Sequence, residues 1–175
     1  MSLENLRIYH ATFEDGRELK LVELEAVKAI LESELSIYTD GACKVHSTQV
    51  GGWAFVVDGG YSSGGWAAST TNNRMELLAV QKALQWCVDN NKKATIHCDS
   101  QYVVNGLTKW CQKWSRNNFQ GKKEIKNKDL WSVTYPLYLK SGCVIKWVKG
   151  HSGNEGNDAA DKLANYCMDN KLEVV

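Results

Sequence analysis

Between residues 36 and 71 of this 175-residue chain, three strand-like runs follow one another with no room for a helix between them. Residues 36–42 are the first and residues 52–57 the second, closed by Asp58-Gly59-Gly60, a hairpin signal; residues 61–71 are a third, loosened by Gly64 and Gly65. Connections this short allow only antiparallel pairing. The pattern then changes period. Asn72 or Asn73 can cap a helix to about residue 89, after which residues 94–98 read as a short apolar strand. Helical stretches follow at 100–106 and 108–116, then a polar loop, a helix over 127–140, a strand over 143–148 and a last helix over 157–168. Three strands and then two strand-helix repeats predict an α/β domain, a mixed sheet with helices on its faces.

With 43% hydrophobic residues and seven Trp, the chain is long enough for one well-packed core and too short for two. It has no apolar run of membrane-spanning length, and its start has neither a signal peptide's basic and apolar segments nor a transit peptide's Arg-rich character. A soluble cytoplasmic protein is expected, with no membrane partner. Six cysteines form no Cys-x-x-Cys pair, which fits a reducing compartment and gives zinc no support. The net charge of +1 conceals a division: residues 1–35 hold four basic and eight acidic residues, a net −4. From Lys109 to Lys128, by contrast, seven cations (Lys109, Lys113, Arg116, Lys122, Lys123, Lys126, Lys128) face only Glu124, interleaved with Trp110, Trp114 and Phe119. Cations match phosphates and flat rings lie against sugars or bases, so this is either a nucleic-acid footprint or a solvated helical face with its aromatics turned inward.

Four acids stand where acids are costly. Asp40 and Asp99 each end an apolar, β-branched run, so each carboxylate should emerge at a strand end. Glu76 lies in a helical stripe with Ala79, Val80, Ala83 and Cys87, and Asp161 follows Gly150-His151-Ser152-Gly153. Repeated burial of carboxylates makes sense if a cation collects the charge, and hard divalent ions such as magnesium prefer oxygen ligands.

Residues 36–168, about three quarters of the chain, resemble type 1 ribonuclease H. The resemblance rests on Tyr38-Thr39-Asp40-Gly41-Ala42, Thr70-Thr71-Asn72-Asn73-Arg74-Met75-Glu76-Leu77, Cys98-Asp99-Ser100-Gln101-Tyr102, Val148-Lys149-Gly150-His151-Ser152-Gly153, and Gly156-Asn157-Asp158-Ala159-Ala160-Asp161-Lys162-Leu163-Ala164, in that order. It implies a ribonuclease H-like fold: a five-stranded mixed sheet, three antiparallel strands then two parallel, flanked by helices. The implied activity is endonucleolytic hydrolysis of the RNA strand of RNA/DNA hybrids with two magnesium ions, manganese being the alternative, leaving 5′-phosphate and 3′-hydroxyl ends. The implied metal ligands are Asp40, Glu76, Asp99 and Asp161. Asp161 is preferred to Asp158 because the family's last acid lies ten residues beyond its His and begins Asp-x-Leu-Ala; Asp158 reads instead as a helix-start acid. His151, in its glycine-flanked loop, would assist proton transfer or product release.

The resemblance also implies the substrate contacts. RNA hydroxyls would be read by Cys43, Asn72 and Asn73 with Gln101 nearby, although His46 stands where familiar members carry Asn. The DNA strand would meet a phosphate pocket at Thr71 and Asn127 and an aromatic channel at Trp114 and Phe119, while Lys122 and Lys123 belong to a basic protrusion. Ser69 aligns with an Arg of the animal enzymes, making the pocket bacterial-like. Two other readings carry the same acids: another nuclease or transferase of the ribonuclease H-like superfamily, and a non-catalytic hybrid-binding module. Residues 1–35 have no counterpart in the resemblance. Residues 7–13 alternate like a strand, residues 14–17 read as a turn, and Leu24, Val27, Ile30 and Leu31 form a helical apolar stripe. The acidic balance suits an appendage for self-association or a protein partner better than one for nucleic acid.

Overall fold

The computed structural model describes residues 8–12, 18–22, 35–44, 49–121, 123–150 and 153–175. The chain divides into two compact units, Met1–Glu34 and Leu35–Val175. In the smaller, β1 (Ile8–Thr12) pairs antiparallel with β2 (Glu18–Val22) in a register running from Ile8↔Val22 to Thr12↔Glu18. The pattern at residues 7–13 marked the first of these strands and not the second. The expected turn at 14–17 and the stripe of Leu24, Val27, Ile30 and Leu31 lie outside the described residues.

The larger unit is a five-stranded sheet in the order β5-β4-β3-β6-β7. Strands β3 (Leu35–Cys43), β4 (Gly51–Val57) and β5 (Ser62–Ala67) form the antiparallel meander that their short connections dictate. Helix α1 (Asn72–Asp89) then carries the chain over to β6 (Ala94–Cys98), which pairs parallel to β3, and β7 (Val144–Trp147) pairs parallel to β6. Between β6 and β7 come α2 (Gln101–Asn105), a π-helical segment (Gly106–Trp110), α3 (Cys111–Ser115) and α4 (Lys128–Ser141); α5 (Glu155–Asn170) follows β7.

Successive residues of β4 show which helix covers which face. Trp53 lies under Lys82 of α1, whereas a Cβ at Gly52 would run into the Ala164 carbonyl of α5. The two helices therefore sandwich the meander. The core on the α1 side collects Ile37, Leu77, Leu84, Ile96 and Val103 around the fully buried Trp131, and Gly106 passes so close to that indole that no side chain fits there.

Three boundaries differ from those expected. The third strand stops at Ala67 rather than 71, because Ser69 takes a left-handed φ of 52° and Thr70 donates its N–H to Gln49 instead. The helical stretches at 100–106 and 108–116 are joined through the π-helical segment. Finally, α5 starts at Glu155 because the Asn154 side chain accepts from the Gly156 and Asn157 N–H groups and caps it there.

Candidate active site

Parallel pairing of β3 with β6 ends at Thr39↔Cys98, so the next residue on each strand, Asp40 and Asp99, is brought side by side. Asp40 is not at a strand end as expected: β3 runs on to Cys43, and Asp40 pairs with Ala54. Asp99 does follow the last residue of its strand. Glu76 joins them from α1 because Gly41 presents no side chain to the helix; any Cβ there would collide with the Glu76 backbone. One carboxylate oxygen from each of Asp40, Glu76 and Asp99 lies within 4.8 Å of the others. Asp161 lies on α5, near enough for its negative charge to act on Asp40. Its Oδ1 also accepts from Asn165 Nδ2 at 2.9 Å. Asp158 sits in the first turn of α5, where an acid suits the helix dipole.

The electrostatics follow from this crowding. Burial, then Asp99, then Asp161 push Asp40 up to about 7, opposed by the Gly41 N–H, which donates to Asp40 Oδ1 at 2.7 Å. Burial pushes Glu76 well above the usual carboxylate range, with Asp40 and Asp99 adding to it. Glu76 Oε1 accepts a long 3.4 Å bond from Asn72, and among the described residues its buried Oε2 has no hydrogen-bond partner. A buried acceptor left unsatisfied among carboxylates is costly unless a cation fills the space. The donor set is all oxygen, so the site fits a hard divalent metal and is unsuited to a soft one.

The expected substrate residues are only partly drawn together. Thr71 caps α1, and it stands exposed there with Asn72 and Asn73. The Cys43 thiol donates to the Thr70 carbonyl at 3.5 Å, so the end of β3 and the start of α1 meet beside Glu76. Gln101 is exposed at the first position of α2, two residues beyond Asp99. Asn127 adopts a left-handed φ of 58°; its Nδ2 donates to the Tyr102 hydroxyl at 3.0 Å and its Oδ1 accepts from Arg74 at 3.3 Å. Arg74 also grips Asp129 with both arms, at 2.9 and 2.6 Å, and Trp131 Nε1 donates to Tyr102 at 2.9 Å. Sequence reasoning missed Arg74, Tyr102 and Asp129 as the braces of Asn127. A helical Arg and a first-turn Asp each look ordinary alone, and a separation of 55 positions hides the pairing.

Lys109, Lys113, Lys123 and Lys126 border a groove floored by Tyr102, Trp110, Trp114 and Ile125. Trp110 and Trp114 stand 5.8 Å apart by ring centroids, and Trp110 is exposed. Phe119 does not belong to this groove, contrary to expectation: it is a core residue, 8% exposed. Consecutive left-handed residues, Asn118 and Phe119, reverse the chain, and the Phe119 N–H returns to the Trp114 carbonyl. His46, Lys122 and His151 lie outside the described residues.

Residues 32–168 match the RNase H family model. A ribonuclease H of Francisella philomiragia is 45% identical over 138 residues, covering 75% of this chain and 88% of that protein. A ribonuclease H of Francisella tularensis subsp. novicida is 45% identical over 136 residues, with the same coverage. Among solved structures, LC9-RNase H1, described as a type 1 RNase H with the type 2 active-site motif, superposes with a TM-score of 0.70 at 24% identity, over 79% of this chain and 74% of that one. The protease-reverse transcriptase of prototype foamy virus superposes with a TM-score of 0.67 at 24% identity, over 77% of this chain and 21% of that one. At these identities the two structures speak for the fold alone.

Proposed function

The chain belongs to the RNase H family as a type 1 member, and on that premise we propose that it hydrolyses the RNA strand of RNA/DNA hybrids endonucleolytically, leaving 5′-phosphate and 3′-hydroxyl ends. The observation that carries this reading is the cluster of Asp40, Glu76 and Asp99 with the unpartnered Glu76 Oε2 inside it. Together with Asp161, these residues would hold two divalent ions, magnesium or alternatively manganese. Ions bound there supply an activated water, a grip on the scissile phosphate and neutralisation of the leaving 3′ oxygen. Asp40 must give up its proton for this, so magnesium binding to the metal-free protein is expected to strengthen as pH rises towards and past 7. His151 would move a proton or hasten product departure.

Around this centre, Cys43, Asn72, Asn73 and Gln101 would meet the RNA strand. Thr71 and Asn127 would receive a DNA phosphate; Asn127 is held by Arg74 and Tyr102. The groove of Trp110 and Trp114 edged by lysines suits the DNA backbone, phosphates against cations and sugars against rings. All six thiols are free, which suits the cytoplasm, and no described helix is long and apolar enough to cross a membrane. Residues 1–35 we assign to self-association or a protein partner, on their acidic charge.

The test is incubation of the full chain in magnesium with end-labelled RNA/DNA, RNA/RNA and DNA/DNA duplexes, with and without chelator. Chelator-sensitive cutting confined to the RNA of the hybrid, with 5′-phosphate products, is the expected result. Hybrid binding without cleavage would instead identify a binding module.

A further inference from the structure

We propose that Trp147 is a positioning residue that sets where the Asp99 carboxylate stands in the metal cluster, acting through the Asp99 main chain; this rests on the metal-site reading above. The ladder between β6 and β7 ends at Cys98↔Trp147, and α2 begins at Gln101. Asp99 therefore lies on the short stretch between the ladder and the helix, and its carboxylate must stay in register with those of Asp40 and Glu76. The far end of β7 grips this stretch. The Trp147 indole Nε1–H donates to the Asp99 carbonyl at 2.9 Å, and the Val148 N–H donates to the Cys98 carbonyl at 3.1 Å. Gly150 comes so near that a Cβ on it would lie 2.5 Å from Asp99 Oδ2. Only the first of these grips uses a side chain that substitution can remove without altering the backbone.

Burial does not account for a tryptophan at this position. Trp147 is 47% exposed on an edge strand, whereas Trp131 is 0% exposed in the core. What its indole does that a phenyl ring cannot is donate to the Asp99 carbonyl. A partner one step removed from a metal ligand affects affinity by fixing the ligand's orientation, and here the bond fixes the backbone from which the carboxylate springs.

The experiment titrates magnesium into the folded full chain by calorimetry, comparing wild type, Trp147→Phe and Asp40→Asn, with thermal melting and hybrid kinetics alongside. Trp147→Phe keeps the ring and removes the donor. Roughly tenfold weaker magnesium binding is expected, with melting and hybrid KM near wild type and a loss of kcat that saturating magnesium restores. Wild-type magnesium affinity in Trp147→Phe would overturn the proposal. So would a raised hybrid KM at unchanged magnesium affinity, which would make Trp147 a substrate contact. Asp40→Asn separates the two levels of the argument: if it binds magnesium as wild type does, the metal-site reading itself fails. Should Trp147→Phe not fold, Trp147→Leu, which also lacks a donor, provides the comparison.

Discussion

Burial and the neighbouring Asp99 lift Asp40 from an ordinary value of 3.8 to about 7, so the metal-free fold favours the protonated form. Between these two values the folded state binds more protons than the unfolded one, and stability contributed by this group falls as pH rises through the window. Metal-free Asp40→Asn is therefore expected to be more stable than wild type at pH 8, by on the order of 2 kcal/mol, with the gap closing towards pH 4. Denaturant titrations of both proteins in chelator across that range check it; a gap independent of pH would remove Asp40 from the coupled cluster. Asp161 acts on Asp40 and Asp158 does not figure among the causes of its shift, so Asp161→Asn should cost at least tenfold more hybrid-cleavage activity than Asp158→Asn. Equal losses in steady-state kinetics would misplace the fourth carboxylate. At this scale Asp40, Glu76 and Asp99 were legible because each stands in or at the end of an apolar run, where an unpaired charge is costly, and Asp161 only through the resemblance. Arg74 and Asp129 were not, since their fork joins α1 to α4 and neither residue is unusual in its own helix.

The elements were legible in kind and order, because short turns dictate a meander and the change of period marks the helices. Their ends were not, since these depend on single backbone choices such as the left-handed Ser69 and the Asn154 cap. Phe119 shows the limit most clearly. Composition placed it with Trp114 in a basic, aromatic stretch, and two consecutive left-handed residues send it into the core. Phe119→Ala should accordingly destabilise the fold by about 3–5 kcal/mol while a folded fraction binds hybrid normally, whereas Trp110→Ala should leave melting little changed and weaken hybrid binding. Melting curves and binding isotherms of the two variants check this, and the reverse assignment would restore Phe119 to the groove. Replacing Lys122, Lys123 and Lys126 by Ala should lower the log-log salt slope of hybrid binding by about two to three and leave turnover at saturating substrate near wild type. An unaltered slope would make the stretch an ordinary solvated surface.

For the whole molecule, the family match begins at residue 32 and the larger compact unit at Leu35, so the catalytic machinery and residues 1–34 are separable in sequence. Deleting residues 1–34 should retain metal-dependent hybrid cleavage within a few-fold, with the change appearing in sedimentation or melting. Loss of hybrid affinity with unchanged assembly would contradict the partner-facing assignment. The architecture brings a strand interior, a helix and a strand end to one point on the sheet, where Asp40, Glu76 and Asp99 meet and the charge of Asp161 is felt at Asp40. That convergence is most directly tested by the single-turnover cleavage rate of Asp40→Asn on an RNA/DNA hybrid in saturating magnesium, with hybrid binding measured on the same samples. The account predicts a loss of at least a thousandfold in the rate with hybrid affinity within a few-fold of wild type; a folded Asp40→Asn protein that cleaves at close to the wild-type rate would contradict it.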